Sequence, residues 1–283
     1  MYILIHPFLV GVACFCCDPR QTAPSLLGRL FDSETGLWTD LPPVNAKRAR
    51  YPGTVAIEWG AGHRIYMVGG GMKGAVLDTC EFIGVGDDQW TLLDAKMFTP
   101  RTRGRAIMLD DTTIVVCGGE NNDENSLASC ESLDLATHTF SAFPDMLEPR
   151  YSPAGVHYNG TVVVIGGTYG QKMCEQFDPA VFKWTPFAPI DCNDPIEAVV
   201  VEDKIYAIDV YSASVWEYDG AAWVVVMASF LCKYRPAIAA LGGKIAVITW
   251  HSTNVDVFDP ATKLWSCLPT RSLSRTELFA VSF

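Results

Sequence analysis

The segment TTIVVCGG, residues 112 to 119, runs an apolar strand straight into a pair of glycines. It recurs as RIYMVGG at residues 64 to 70 and as TVVVIGG at residues 161 to 167, so the pairs begin 49 and 48 residues apart. A loop that cradles a phosphate stands once in a chain, whereas a fixed period marks a repeat architecture.

A second marker has the same rhythm. An aromatic or aliphatic residue, usually an Asp, a short turn and a large aromatic read FDSETGLW (31 to 38), IGVGDDQW (83 to 90), LDLATHTF (133 to 140), FDPAVFKW (177 to 184), YDGAAW (218 to 223) and FDPATKLW (258 to 265). Six copies predict six units, with Trp38, Trp90, Phe140, Trp184, Trp223 and Trp265 as their terminal aromatics. No unit holds a helical periodicity over ten residues; short apolar or alternating runs punctuated by Gly, Pro, Asn and Asp fill the chain. Four strands fit each period, as in SPAGVHY, the turn Asn159-Gly160, TVVVIGG, KMCEQFD and FKWTPF. One such sheet cannot bury both its faces alone. The expectation is therefore one domain over residues 1–283, an all-β, six-bladed propeller of four-stranded antiparallel sheets.

The chain has 283 residues, 49% of them hydrophobic and 19% charged, which suits a folded globular protein rather than a disordered one. A net charge of -11 argues against nucleic acid or an anionic membrane as partner. The ten cysteines are irregularly spaced and read as reduced, and PFLVGVACFCC (7 to 17) is too short to span a bilayer. A cytoplasmic or nuclear compartment is expected.

The pattern of apolar strand, diglycine, acidic or apolar pair and tryptophan, with Pro100-Arg101 and Pro149-Arg150 before the first strand of a unit, resembles the Kelch repeat. Cys16-Cys17, Ile208-Asp209 and Thr249-Trp250 stand where other units have diglycines. The WD40 repeat is a poorer match, since no tryptophan is followed by Asp. The resemblance implies a ring closed when the C-terminal segment RTELFAVSF (275 to 283) completes the first blade. MYILIH (1 to 6) competes for the same slot.

The glycines, tryptophans and cysteines then have structural roles: close backbone approach where a strand ends, filling between blades, and small buried hydrophobes at Cys80, Cys130 and Cys174. Function belongs to loops. With strands lettered A to D outward from the axis, the D-to-A connections and B-to-C loops share one face. Five of its six D-to-A segments bring arginine to the channel mouth, and the candidate partner-binding residues are Arg50, Arg101, Arg103, Arg150, Tyr151, Tyr234, Arg235 and Arg275. Arginine and tyrosine combine large contact area with directed hydrogen bonds, so an acidic peptide or loop of a protein partner is the expected ligand. The resemblance agrees: propellers of BTB-Kelch adaptors bind partner peptides at this mouth through arginines in the context seen here from Pro100 to Arg103. The opposing reading is that Arg101 and Arg150, being part of the repeat, hydrogen-bond neighbouring blades and bind nothing.

The alternative function is a Kelch-like propeller enzyme of oxidase, isomerase or specifier type acting on a small molecule or sugar. The five histidines are scattered over different units, and the trio Glu131, Asp134 and His138 is one residue short of the iron-binding spacing. No cofactor or metal is expected.

Overall fold

The computed structural model describes residues 2–5, 8–11, 29–32, 37–45, 52–59, 62–72, 75–167, 172–192, 196–212, 214–227, 237–248 and 255–268. Among them every regular element is a β-strand. The first repeat holds β1 (Tyr2–Ile5), β2 (Phe8–Gly11), β3 (Arg29–Asp32) and β4 (Leu37–Asp40). The second holds β5 (Gly53–Trp59), β6 (Gly62–Val68), a small ladder of β7 (Gly71–Met72) and β8 (Ala75–Val76), then β9 (Thr79–Gly84) and β10 (Thr91–Lys96). The third comprises β11 (Arg105–Asp110), β12 (Thr113–Cys117), β13 (Cys130–Asp134) and β14 (Thr139–Phe143), and the fourth β15 (Ala154–Tyr158), β16 (Thr161–Ile165), β17 (Cys174–Asp178) and β18 (Lys183–Phe187). In the fifth are β19 (Ile196–Val201), β20 (Lys204–Asp209), β21 (Val215–Tyr218) and β22 (Trp223–Met227), and in the sixth β23 (Ala237–Leu241), β24 (Lys244–Ile248), β25 (Val255–Asp259) and β26 (Leu264–Leu268).

Six repeats predict six separate sheets, and here the structure differs. Repeats two to five each form a four-stranded antiparallel blade, but the strands of repeats one and six join in one eight-stranded sheet, giving five main sheets. The reason is that the inner strands β1 and β23 run parallel and meet at Tyr2 and Ala239. Closure by the C-terminal strand is likewise not what the hydrogen bonds show. The place beside β2 is held by β1, in register from Tyr2 against Gly11 to Ile5 against Phe8, and residues 275–283 lie outside the described residues. A hairpin between neighbouring segments closes a very short loop, whereas a strand from the far end of the chain must close the whole ring.

In β12 and β16 the second strand is apolar over its buried stretch because both its faces are covered. Along β12, Ile114 and Val116 pack with Tyr66, Phe82 and Met97 of repeat two, while Val115 and Cys117 pack with Val162, Val164 and Phe177 of repeat four. In β16 the alternation repeats: Val162 and Val164 face back toward repeat three, and Val163 and Ile165 face repeat five. The core is thus a series of layers between blades, each fed by alternate residues of two sheets.

The repeat's aromatic sits in these layers and also carries a bond across them. Trp90 Nε1 donates to Pro42 O at 2.8 Å, Trp184 Nε1 to Pro144 O at 2.8 Å, and Trp223 Nε1 to Ala188 O at 2.9 Å, each acceptor belonging to the segment that leaves the preceding blade. The marker's Asp is a turn cap: Asp134, Asp178, Asp219 and Asp259 accept amide hydrogens two or three residues on, at 2.7 to 3.2 Å. Cys80, Cys130 and Cys174 are buried free thiols, as the repeat position predicts.

Candidate functional site

The two PR arginines lie inside the fold, not at its surface. Arg101 is 1% exposed and Arg150 fully buried. Arg101 Nη1 donates to Gly118 O at 2.8 Å and Ser129 O at 2.7 Å, and Nη2 to Glu131 Oε1 at 2.8 Å. The carboxylate is completed by the amides of Phe98 (2.7 Å) and Thr99 (3.0 Å). In the next repeat Arg150 Nη1 donates to Gly166 O at 2.7 Å and Met173 O at 2.8 Å, Nη2 donates to Glu175, and the amides of Leu147 and Glu148 complete that carboxylate. Glu81, buried at the same repeat position, accepts from the Asn45 amide at 2.8 Å. Buried charges are tolerable when paired and hydrogen-bonded; here both carboxylates and the Nη groups of both arginines are engaged, and only the Nε of Arg101 and of Arg150 has no partner among the described residues.

The backbone of the same arginines faces the other way around the ring. Arg101 O accepts from Gly70 N, and Arg150 O from Gly119 N, both at 2.8 Å. Each arginine therefore holds the diglycine of the preceding repeat through its carbonyl and the diglycine of its own repeat through its guanidinium. Such close approach requires glycine: a Cβ at Gly69 would lie 2.3 Å from Arg101 O, and one at Gly118 would lie 2.5 Å from Arg150 O. Both glycines have positive φ, 63° and 65°. The chain Gly69-Gly70, Arg101, Gly118-Gly119, Arg150, Gly166 is one continuous link through three blades. Arg101 and Arg150 consequently leave the list of partner-binding residues: they are buried, and their Nη groups are bound to backbone carbonyls and a glutamate of the same repeat.

Arg103 behaves differently. Its backbone is left-handed, φ 56°, a conformation that the equivalent Ser152 shares at 50°, and Ser152 N donates to Arg103 O at 2.8 Å. Its side chain stays 30% exposed, 3.0 Å from Glu120 and with Cζ 5.6 Å from the centre of the half-buried Tyr151 ring. Glu120 is fixed in turn by paired backbone bonds with Thr102. Of the other candidates, Arg50, Tyr234, Arg235 and Arg275 lie outside the described residues.

A family model of the Kelch motif matches residues 101–147, the stretch that begins at the buried arginine and runs through the third repeat. The chain is a propeller that carries a Kelch motif. It is similar to an F-box/kelch-repeat protein of Arabidopsis thaliana, 24% identical over 65% of this chain and 54% of that protein. It also resembles human Kelch-like protein 23, 26% identical over 67% of this chain and 33% of that protein. The matched region thus spans about half of the first relative and a third of the second.

Within this Kelch-motif propeller the sequence reading overlooked one charged pair. Arg105 and Glu197 occupy the same position on the inner strands of repeats three and five, and Arg105 Nη1 donates to Glu197 Oε2 at 2.9 Å across the inner strand of repeat four. Gly155 of β15 makes room, since a Cβ there would lie 3.1 Å from Arg105 Cγ. The signal was present: two opposite charges at one repeat position, each near the start of a mainly apolar inner strand. Also overlooked were Phe98 and Leu147, exposed apolar residues three positions before each PR arginine. A large hydrophobe recurring at one place in a polar connection was their signal.

The trio Glu131, Asp134 and His138 does not converge. Glu131 is held by Arg101, Asp134 caps its turn through Ala136 and Thr137, and His138 Nε2 lies 3.4 Å from the Tyr66 hydroxyl of repeat two. The His138 ring lies tilted against Phe82 with centroids 5.3 Å apart, and Arg64 Cζ lies 4.9 Å from the centre of the same Phe82 ring. Burial, then the charge of Arg64, lower the His138 pKa below its ordinary 6.5, while Asp134 opposes them weakly. The folded state therefore disfavours the imidazolium. Stability is fully present above about pH 6.5 and falls as pH drops from there toward the depressed folded-state value. We expect the thermal midpoint of His138→Asn to decline less than that of the wild type between pH 7 and 5, Asn being at ease with the positive φ of 54°. Parallel midpoint curves for the two proteins would show that His138 does not couple repeats two and three.

Proposed function

We propose that this Kelch-motif propeller is a protein-interaction module, a scaffold or adaptor that receives a peptide or loop of a partner on the face of the D-to-A connections and B-to-C loops. The observation that carries this reading is Arg103. Arg101 and Arg150 are consumed by the fold, whereas Arg103 adds a guanidinium that the blades do not need and is presented on Tyr151 at the surface. The equivalent residue, Ser152, shares the backbone without the charge. Kinship with proteins named F-box/kelch-repeat and Kelch-like supports an adaptor role. Free cysteines, five buried and one exposed among the described residues, suit a cytoplasmic or nuclear compartment.

An acidic partner has less to bind than a count of arginines suggests. Among the described residues Arg101, Arg103, Arg105 and Arg150 each already hold a carboxylate. An acidic ligand would have to displace Glu120 from Arg103.

The test is affinity capture from cell extract with wild-type protein and the Arg103→Ala/Tyr151→Ala double variant side by side. Both proteins should melt within about 2 °C of each other, since the exposed pair contributes little to stability. At least one partner taken by the wild type should be lost by the variant, with affinity reduced roughly thirtyfold or more as for an interface hot spot. Identical partner sets would remove Arg103 and Tyr151 from the binding surface.

A further inference from the structure

The same face carries apolar surface that a site for charge alone would not need. Phe98 is 67% exposed, Leu147 53% and Met173 47%. Phe98 and Leu147 occupy one repeat position, and their amides donate to Glu131 and Glu175 at 2.7 and 2.6 Å. Met173 immediately precedes β17, and its carbonyl accepts from Arg150 at 2.8 Å. The buried arginine–glutamate pairs thus hold the backbone of all three residues. Their side chains stand in water on rigid supports. A large apolar group presented on ordered backbone suits an interface anchor, because little conformational freedom remains to be lost on binding.

The charges of this sector that stand outside its ion pairs are acidic. Asp123, Glu124 and Glu148 are exposed and form no ion pair among the described residues. The cations of this sector are taken, Lys96 by Asp78, Arg103 by Glu120 and Lys172 by Asp191. Glu148 adjoins Leu147 in the chain. Asp123 and Glu124 belong to the loop between β12 and β13, which is tied to repeat two where Val76 N donates to Asn122 Oδ1 at 2.7 Å.

We propose that the partner segment bound on this sector is basic and apolar: large hydrophobic side chains seat against Phe98, Leu147 and Met173, and lysines or arginines meet Asp123, Glu124 and Glu148. This rests on the reading that the face binds protein, and it replaces an acidic ligand with a cationic one over repeats three and four.

The test is selection of a random 12-residue peptide library displayed on phage against the purified propeller. A Phe98→Ser/Leu147→Ser variant serves as the counter-bait, and the best sequence is then titrated as a synthetic peptide. Both substitutions change exposed side chains and leave the amide bonds to Glu131 and Glu175 in place, so the variant should melt with the wild type. Enriched sequences should combine Lys or Arg with large apolar residues. The synthetic peptide should bind at least tenfold more weakly to the counter-bait, and to Glu124→Gln/Glu148→Gln at physiological salt. A peptide with the same basic residues but serine for each hydrophobe should lose as much, which separates anchoring from simple attraction to an acidic protein. Enrichment of acidic peptides dependent on Arg103 would overturn this inference and leave the face reading standing. Absence of enrichment over the counter-bait also overturns it. Peptides insensitive to every variant on the face, Arg103→Ala/Tyr151→Ala included, would overturn both.

Discussion

Arg150→Ala should destabilise the propeller by about 3–5 kcal/mol, the usual result of removing one partner of a buried ion pair. Arg150 is fully buried, and its guanidinium binds Gly166 O, Met173 O and Glu175. Truncation strands the Glu175 carboxylate, itself buried, with two backbone amides and no countercharge. For a chain of this size the thermal midpoint should fall on the order of 10 °C. Arg103→Ala, made in the same background, should change stability by less than about 1 kcal/mol, because that pair is partly exposed. Arg150→Lys should recover little: one ammonium cannot serve two carbonyls and a carboxylate in the geometry of a planar fork. Arg150→Met combined with Glu175→Gln should lose less than Arg150→Ala, since the uncompensated charge leaves with its partner. A midpoint for Arg150→Ala close to that of the wild type would mean that the arginine is not a structural strut and would return it to the candidate binding residues.

The outcome separates what is legible in a repeat from what is not. Recurrence of Pro-Arg at residues 100–101 and 149–150 marks a position that every blade of that kind needs, and need by the blade is itself an argument for burial. The paired glutamate strengthens it. Units with the arginine carry Glu131 or Glu175 at the start of the third strand, while the fifth unit, whose connection DCNDP has no arginine, has Val215-Trp216 there. The second unit keeps the glutamate, Glu81, without Pro-Arg, and there the Asn45 amide meets it. Which way a side chain turns is not written in a period, however, and arginine at a loop reads equally as a ligand for a partner or for the next blade.

Sheet number was illegible for a related reason. Six markers count six stretches of chain, but whether the inner strands of the first and last stretches meet in one sheet depends on a backbone contact between Tyr2 and Ala239 that no repeat pattern encodes. Arg105 and Glu197 were hidden by scale, since their bond joins units two repeats apart, 92 residues along the chain.

Gly118→Ala should cost roughly 3 kcal/mol or more, and Gly160→Ala only about 1 kcal/mol, although both glycines have positive φ, at 65° and 76°. The conformational part is common to the two: an L-residue in the left-handed region loses about 1–2 kcal/mol. The difference lies in what surrounds the added methyl group. At Gly160, in the hairpin turn between β15 and β16, nothing lies within 4 Å. At Gly118 the new carbon would stand 2.5 Å from Arg150 O and 3.2 Å from Met146 Cε. The carbonyl is not free to retreat, since it accepts from Gly119 N at 2.8 Å and belongs to a residue whose guanidinium is locked into the next blade. Relief of the clash therefore has to open the seam between repeats three and four. Urea titration provides the measurement: the transition midpoint should fall several times further for Gly118→Ala than for Gly160→Ala at a similar slope. Because the methyl group and the loss of the guanidinium damage the same strut, Gly118→Ala combined with Arg150→Ala should fall short of the sum of the single losses. Full additivity would show that the glycine pair and the arginine act separately, and that the repeat's two best-marked positions do not form one link around the ring.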